Sequence, residues 1–392
     1  MNKKKIMSVV LSFVLVIVIA VAPIHVGALD SVFPNYNAEY QDVLPNDILS
    51  ASPDDVLYIA YINHVLPRYL SLTFGDFSDV QISQGFVIYG TSDKNTRAFF
   101  VTNNGNYIGL LLVTYADGMF HSSFGLDDNA NITNAITNRI PVSLNMDYGI
   151  IYVLMEYSVV SLATNELSIN LDVFDSAPRE SVYHLAEVVM NSVDFTAEDV
   201  NELAMGWVAR NSFVSSVDLR VPFVANASCT CCRRGLCWAA AVVSVGRFMN
   251  PRVGQATNAV GLFNALNNSY PGTPVGTSSW YLRGLNHFSL RGSYVRSGMN
   301  FLTLQSNLNA QRPIIFNMMC IDWVVGHAIV LHMLQSSFES TIYGFVDSNF
   351  AGTRWIHVSG PNQNINNSSF RYVAGRTFTT WHSSVVAYYT GF

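Results

Sequence analysis

A cysteine that opens an apolar helix and a histidine that opens an apolar strand are the residues of this chain best placed to do chemistry together. Cys237 heads the run Cys237-Trp238-Ala239-Ala240-Ala241-Val242-Val243-Ser244-Val245-Gly246-Arg247-Phe248-Met249-Asn250-Pro251. From Trp238 to Asn250 only Arg247 is charged, and Asn250-Pro251 is a stop signal, so the run predicts a helix buried on nearly every side. A thiol at the head of such a helix feels the positive end of the helix dipole, which favours thiolate, the nucleophilic form. The plainer reading is a small cysteine packed at a helix start.

A thiolate nucleophile needs a proton carrier, and histidine is the usual one. Of the nine histidines, His327 lies in Gly326-His327-Ala328-Ile329-Val330-Leu331, an apolar strand pattern that would hold the ring rigidly, whereas His287, His357 and His382 have no comparable context. Ile342-Tyr343-Gly344-Phe345-Val346-Asp347-Ser348-Asn349 reads as a second strand ending in two groups able to accept from an imidazole N–H. A hairpin turning through residues 335–340 returns the end of that strand to the start of the first, which places Asp347 or Asn349 beside His327.

Other elements must carry this trio. Ser52-Pro53-Asp54-Asp55 is an N-cap and first-turn pattern, and Val56, Ile59, Ala60, Ile62 and Val65 continue it as a helix into the sixties. From Val80 the period becomes two: residues 85–89, 97–101, 107–115 and 119–124 are strand-like and are punctuated by Asn103-Asn104-Gly105-Asn106 and Ala116-Asp117-Gly118. They predict an antiparallel meander, which the β-branched stretch 150–162 joins. Two amphipathic helices are expected at 179–190 and 196–208, the second opened by Thr196-Ala197-Glu198-Asp199. After Arg210 the helical period stops, which marks a boundary near 212. The unpatterned stretch 211–226 is the expected place for a proteolytic cut.

A length of 392 residues implies two domains at roughly 100 to 200 residues each. With 50% hydrophobic and 12% charged residues, the chain is not predominantly disordered. Residues 1–28 open with Lys3-Lys4-Lys5, run apolar from Ile6 to Ala22 and end in Val26-Gly27-Ala28, the pattern of a secretory signal peptide. A retained anchor helix is the other reading, disfavoured by Pro23. Without that leader's three lysines the net charge moves from -6 to -9, and Lys94 is the remaining lysine, so nucleic acid is not an expected partner. After signal removal no membrane partner is expected either.

Export permits disulfides. Of five cysteines, Cys229, Cys231, Cys232 and Cys237 lie close together and Cys320 is distant. Four thiolates can hold zinc, but adjacent Cys231 and Cys232 fit a tetrahedral site poorly. A local disulfide is preferred, and no metal or cofactor is expected.

The order Cys237, His327, Asp347, with Cys-Trp-Ala-Ala opening a helix and Gly-His-Ala opening a strand, resembles the papain-like cysteine peptidases. The likeness is greatest to the compact bacterial secreted type of staphopain, streptopain and the bacteriocin-leader peptidases. It covers roughly residues 214–392, and residues 302–316 are similar to the helix and strand such enzymes place before the histidine. The resemblance implies an α+β fold: a papain-like catalytic domain at 213–392, with a buried N-terminal helix and an antiparallel sheet. An α+β prosegment containing the meander would precede it at 29–212.

It further implies that Cys237 attacks a peptide carbonyl and His327 carries the proton. Asp347 orients His327, Asn349 is the second choice for that role, and Trp238 and Trp355 pack around the site. The partners it implies are a protein or peptide substrate and the chain's own N-terminal domain as an intramolecular inhibitor, released on maturation; an independent retained module is the alternative. One feature departs from the family. The glutamine usually found six residues before the nucleophile is replaced by Cys231, so Asn226 or Thr230 must substitute as oxyanion donor or the enzyme is weakened, a loss on the order of 3 to 4 kcal/mol. A Cys/His peptidoglycan hydrolase, without recognisable wall-binding repeats here, and an inactive papain fold in an adhesion or toxin-associated protein are the competing expectations.

Overall fold

The computed structural model describes residues 53–71, 77–91, 95–116, 119–147, 150–155, 158–168, 185–193, 216–226, 228–229, 234–269, 277–296, 299–320, 326–336, 340–359, 372–374 and 377–389. The leader at 1–28, the helix expected at 196–208, Thr230, Cys231 and Cys232 lie outside them, as do the side chains of Cys229 and Cys320.

The first helix, α1 (Pro53–Leu70), is followed by the meander β1 (Val80–Ser83), β2 (Phe86–Tyr89), β3 (Thr96–Asn103), β4 (Asn106–Ala116) and β5 (Met119–Leu126). Then come α2 (Ala130–Thr137), β6 (Val142–Asp147), β7 (Ile150–Met155), β8 (Ser158–Ser161), β9 (Leu167–Ser168), β10 (Met190–Ser192) and β11 (Ser216–Asp218). A two-residue pair, β12 (Ser228–Cys229) and β13 (Arg234–Gly235), precedes the helices α3 (Cys237–Met249), α4 (Pro251–Gly254), α5 (Ala259–Ser269) and α6 (Ser278–His287). The chain closes with β14 (Leu290–Val295), α7 (Phe301–Asn309), β15 (Ile314–Cys320), β16 (Gly326–Ser336), β17 (Ser340–Asp347), β18 (Thr353–Ser359), β19 (Tyr372–Val373) and β20 (Thr377–Tyr389).

The fold is mixed α and β with a mostly antiparallel sheet. Its pairings run β14–β20–β15–β16–β17–β18, continue across β18–β5 into β4 and β3, and end on β1 and β10. Residues Asp54–Phe392 accordingly form one compact unit. One apolar cluster runs from Phe100, Leu110 and Leu112 of the meander to Val243, Ile329 and Phe345 of the C-terminal half. A second joins α1 and the other face of the meander to Met333, Ile342 and Trp355. Among the described residues no helix is long and apolar enough to cross a membrane.

Two local expectations are corrected. Residues 185–190, expected to complete a helix from 179, are extended: Ala186 bridges Val142, and Met190 pairs with Ser83. Sheet pairing overrides the amphipathic pattern there. The stretch 211–226, expected to be unpatterned, is held from Ser216 onward. Strand β11 pairs with β16, Leu219 N–H donates to His332 carbonyl at 3.0 Å, and Asn226 N–H donates to Ser348 carbonyl at 2.7 Å.

Helix α3 owes its position to small residues. Its face of Ala239, Ala240 and Val243 is fully buried, and it packs on β16. At Gly246 a Cβ would stand 2.6 Å from the ring of Phe288, so the absence of a side chain lets the helix approach that buried ring. Gly246→Ala is expected to lower the unfolding free energy by about 1–3 kcal/mol through overpacking. Urea denaturation checks this, and an unchanged midpoint would mean that Phe288 moves aside freely.

Candidate active site

Three elements converge on the site. Helix α3 presents Cys237 at its first position, partly exposed and free of any disulfide. Strand β16 presents His327 one residue from its start, and β17 presents Asp347 at its end. In the β16–β17 ladder Asp347 lies opposite Ile329, two residues beyond His327. Because alternate residues share a face, the imidazole and the carboxylate project to the same side.

The contacts are direct. His327 Nε2 lies 2.8 Å from Asp347 Oδ1, and both side chains are buried. Cys237 is close enough to help raise the basicity of His327, and because Nε2 is engaged by Asp347, Nδ1 is the imidazole nitrogen left to serve the thiol. Phe378 and Tyr372 flank the imidazole at ring-centroid distances of 5.2 and 6.4 Å and keep water from it.

A fully buried carboxylate is costly unless each oxygen finds donors. Asp347 Oδ1 accepts from His327 and from Asn349 N–H at 2.9 Å, and Oδ2 accepts from the Tyr372 hydroxyl at 2.7 Å. Burial opposes ionisation of Asp347, yet the His327 charge and these hydrogen bonds hold its carboxyl below its ordinary value. Burial likewise opposes an imidazolium, but the Asp347 charge and hydrogen bond, helped by Cys237, raise His327 to about 10. Burial and the Asp347 charge push the Tyr372 phenol well above its ordinary value, so it stays a donor.

The remaining expected residues fall elsewhere. Asn349 touches Asp347 through its main chain, while its side-chain Oδ1 accepts from Asn226 Nδ2 at 2.8 Å. Asn226 therefore braces the turn after β17 with the amide nitrogen that an oxyanion donor would need. Trp238 is buried against Trp280 at 5.3 Å and Tyr281 at 6.2 Å, as part of the core beneath the helix. Trp355 does not flank the thiol: it stacks on Phe124 at 6.3 Å in the second core, on the face of β18 opposite Arg354. Tyr372 was missed because nothing in the local pattern around a two-residue strand marks its hydroxyl for Asp347. Among the described residues no group of three or more His, Cys, Asp or Glu side chains is arranged to hold a metal.

Comparison of the sequence with protein-family models and with curated proteins finds no match.

The ion pair has a pH signature. His327 is raised above its unfolded value, so its stabilisation is full below about pH 6.5 and is lost as pH rises through about 10. Asp347 is lowered, so its contribution is present above its ordinary value of 3.8 and is lost as pH falls below that. Folding stability measured by urea denaturation should decline from neutrality toward pH 10, with a slope that His327→Gln removes. In the unsubstituted protein the His327 imidazole resonance should titrate near pH 10; a midpoint near 6.5 would contradict the buried pair.

Proposed function

We propose that this protein is an exported cysteine peptidase of the papain-like type, acting through Cys237, His327 and Asp347. The observation that carries the reading is the contiguous chain from a partly exposed thiol, through a buried imidazole, to a buried carboxylate with three donors. The leader pattern at 1–28 supports export.

The chemistry follows from the placement. Cys237 thiolate attacks the scissile carbonyl and forms a carbon–sulfur bond as the carbonyl electrons move to oxygen. The Cys237 backbone N–H belongs to the first turn of α3, where helix N–H groups lack intrahelical acceptors, and it can donate to that oxyanion. His327 then gives its Nδ1 proton to the leaving amine, the carbon–nitrogen bond breaks, and a thioester remains. Water, deprotonated by the now neutral His327, attacks the thioester and releases the acid, regenerating the thiolate and imidazolium. Asp347 holds the ring throughout by its hydrogen bond at Nε2.

Casein hydrolysis by the purified protein tests the proposal. Cys237→Ala and His327→Ala should each abolish turnover, and Cys237→Ala should do so with the fold intact. Asp347→Ala should lose about 10²–10⁴-fold. Asn349→Ala should lose less, since its contact with Asp347 is made by the main chain. Substantial activity in Cys237→Ala overturns the assignment, and turnover of peptidoglycan with none of casein moves the same site to the wall-hydrolase reading.

A further inference from the structure

The contacts of the N-terminal half fall on the segments that hold Asp347. Strand β5 pairs with β18, with Gly125 opposite Arg354 and Phe124 opposite Trp355. The buried Arg354 reaches across this edge. Its Nη2 donates to Ser123 carbonyl at 2.7 Å, to Ser123 Oγ at 3.0 Å and to Leu110 carbonyl at 3.3 Å, while its guanidinium lies 4.1 Å over the Phe350 ring. A Cβ on Gly125 would stand 2.7 Å from Arg354 Nη1, so this position has room for the guanidinium only as glycine.

Two further bonds run to the carboxylate's own supports. The Ser123 hydroxyl donates to the carbonyl of Val373, the neighbour of Tyr372, whose phenol donates to Asp347 Oδ2. Leu162 carbonyl accepts from Ala351 N–H at 2.8 Å, in the turn that opens with Phe350 N–H donating to Asp347 carbonyl at 3.1 Å. The turn ends at Gly352, whose φ of +108° suits glycine and whose Cα packs where a Cβ would meet Leu126 carbonyl at 2.7 Å. Three meander or post-meander residues, Ser123, Leu126 and Leu162, thus meet both the strand carrying Tyr372 and the turn carrying Asp347.

From this junction we infer that the N-terminal half from residue 54 is a permanent part of the working enzyme that positions Asp347, not an inhibitor released on maturation. The inference rests on the reading of Asp347 as the group that orients His327. Removing the N-terminal half would strip a strand from β18, leave the buried Arg354 charge without its carbonyl partners and uncover apolar residues on both sheet faces. Ser123 is a positioning residue, acting through Val373 and Tyr372.

The test uses the full chain with a site for a sequence-specific protease inserted within residues 196–208. After cutting, the two fragments should co-elute as one species in native buffer, and Cys237 should react with iodoacetamide at a rate within about twofold of the uncut protein. In uncut Ser123→Val, the His327 resonance should titrate about one pH unit lower than in the parent, because a displaced Asp347 supports the imidazolium less. Fragments that separate in native buffer, with the C-terminal one reacting at least as fast as the whole, would overturn the inference. Co-eluting fragments with an unchanged His327 midpoint in Ser123→Val would overturn the positioning role. None of these readouts needs peptide hydrolysis, so failure of the peptidase reading would appear separately, as absent casein turnover in a protein that passes them.

Discussion

The burial of the Asp347 carboxylate is the constraint on which the arrangement turns. A charge taken wholly out of water must be matched by donors at close range, and removing one partner of a buried pair costs about 3–5 kcal/mol. Here the donors come from three places: an imidazole on the neighbouring strand, a main-chain N–H two residues on, and a phenol 25 residues downstream. Each is held by a different element, so the carboxylate ties β16, the turn after β17 and β19 into one geometry. The raised His327 and the lowered Asp347 are two expressions of that single desolvated pair. The proposed chemistry draws on the same source, because an imidazolium kept charged beside a thiol is a proton donor for a leaving amine.

Sheet continuity is the second consequence. Strand β18 would be an open edge beside the carboxylate's turn, and β5 covers it. Apolar packing on both faces of that junction makes it a core interior in character. The buried Arg354 sits where its guanidinium meets main-chain carbonyls from the meander, so its desolvation is offset only while both halves are in place.

Much of the site was legible because it is local. A helix with small residues at its head, a Gly-His strand start and a strand closing in Asp347 each have a short-range signature, but the register between the last two also depends on an irregularity between Leu331 and Met333 that brings Asp347 opposite Ile329, on the His327 face. The meander was legible for the same reason, its turns carrying Asn-Gly and Asp-Gly signals. What could not be read was partner choice across long separations. Alternation marks β5 as a strand without saying that its Phe124 faces Trp355 of β18, or that Arg354, on the other face of β18, reaches the meander. Residues 185–190 have a helical pattern but are claimed by the β1 edge and by Val142. Tyr372 lies in a strand too short to have a period, so its bond to Asp347 is visible only in three dimensions.

The central claim is that Cys237 is a nucleophile activated by its buried imidazole. Incubation of the purified chain with a peptidyl epoxide, followed by peptide mapping in a mass spectrometer, tests it most directly. The account predicts a single adduct on Cys237, formed in the native protein and absent in His327→Ala. Failure to label Cys237, or labelling that persists at the same rate without His327, would contradict it.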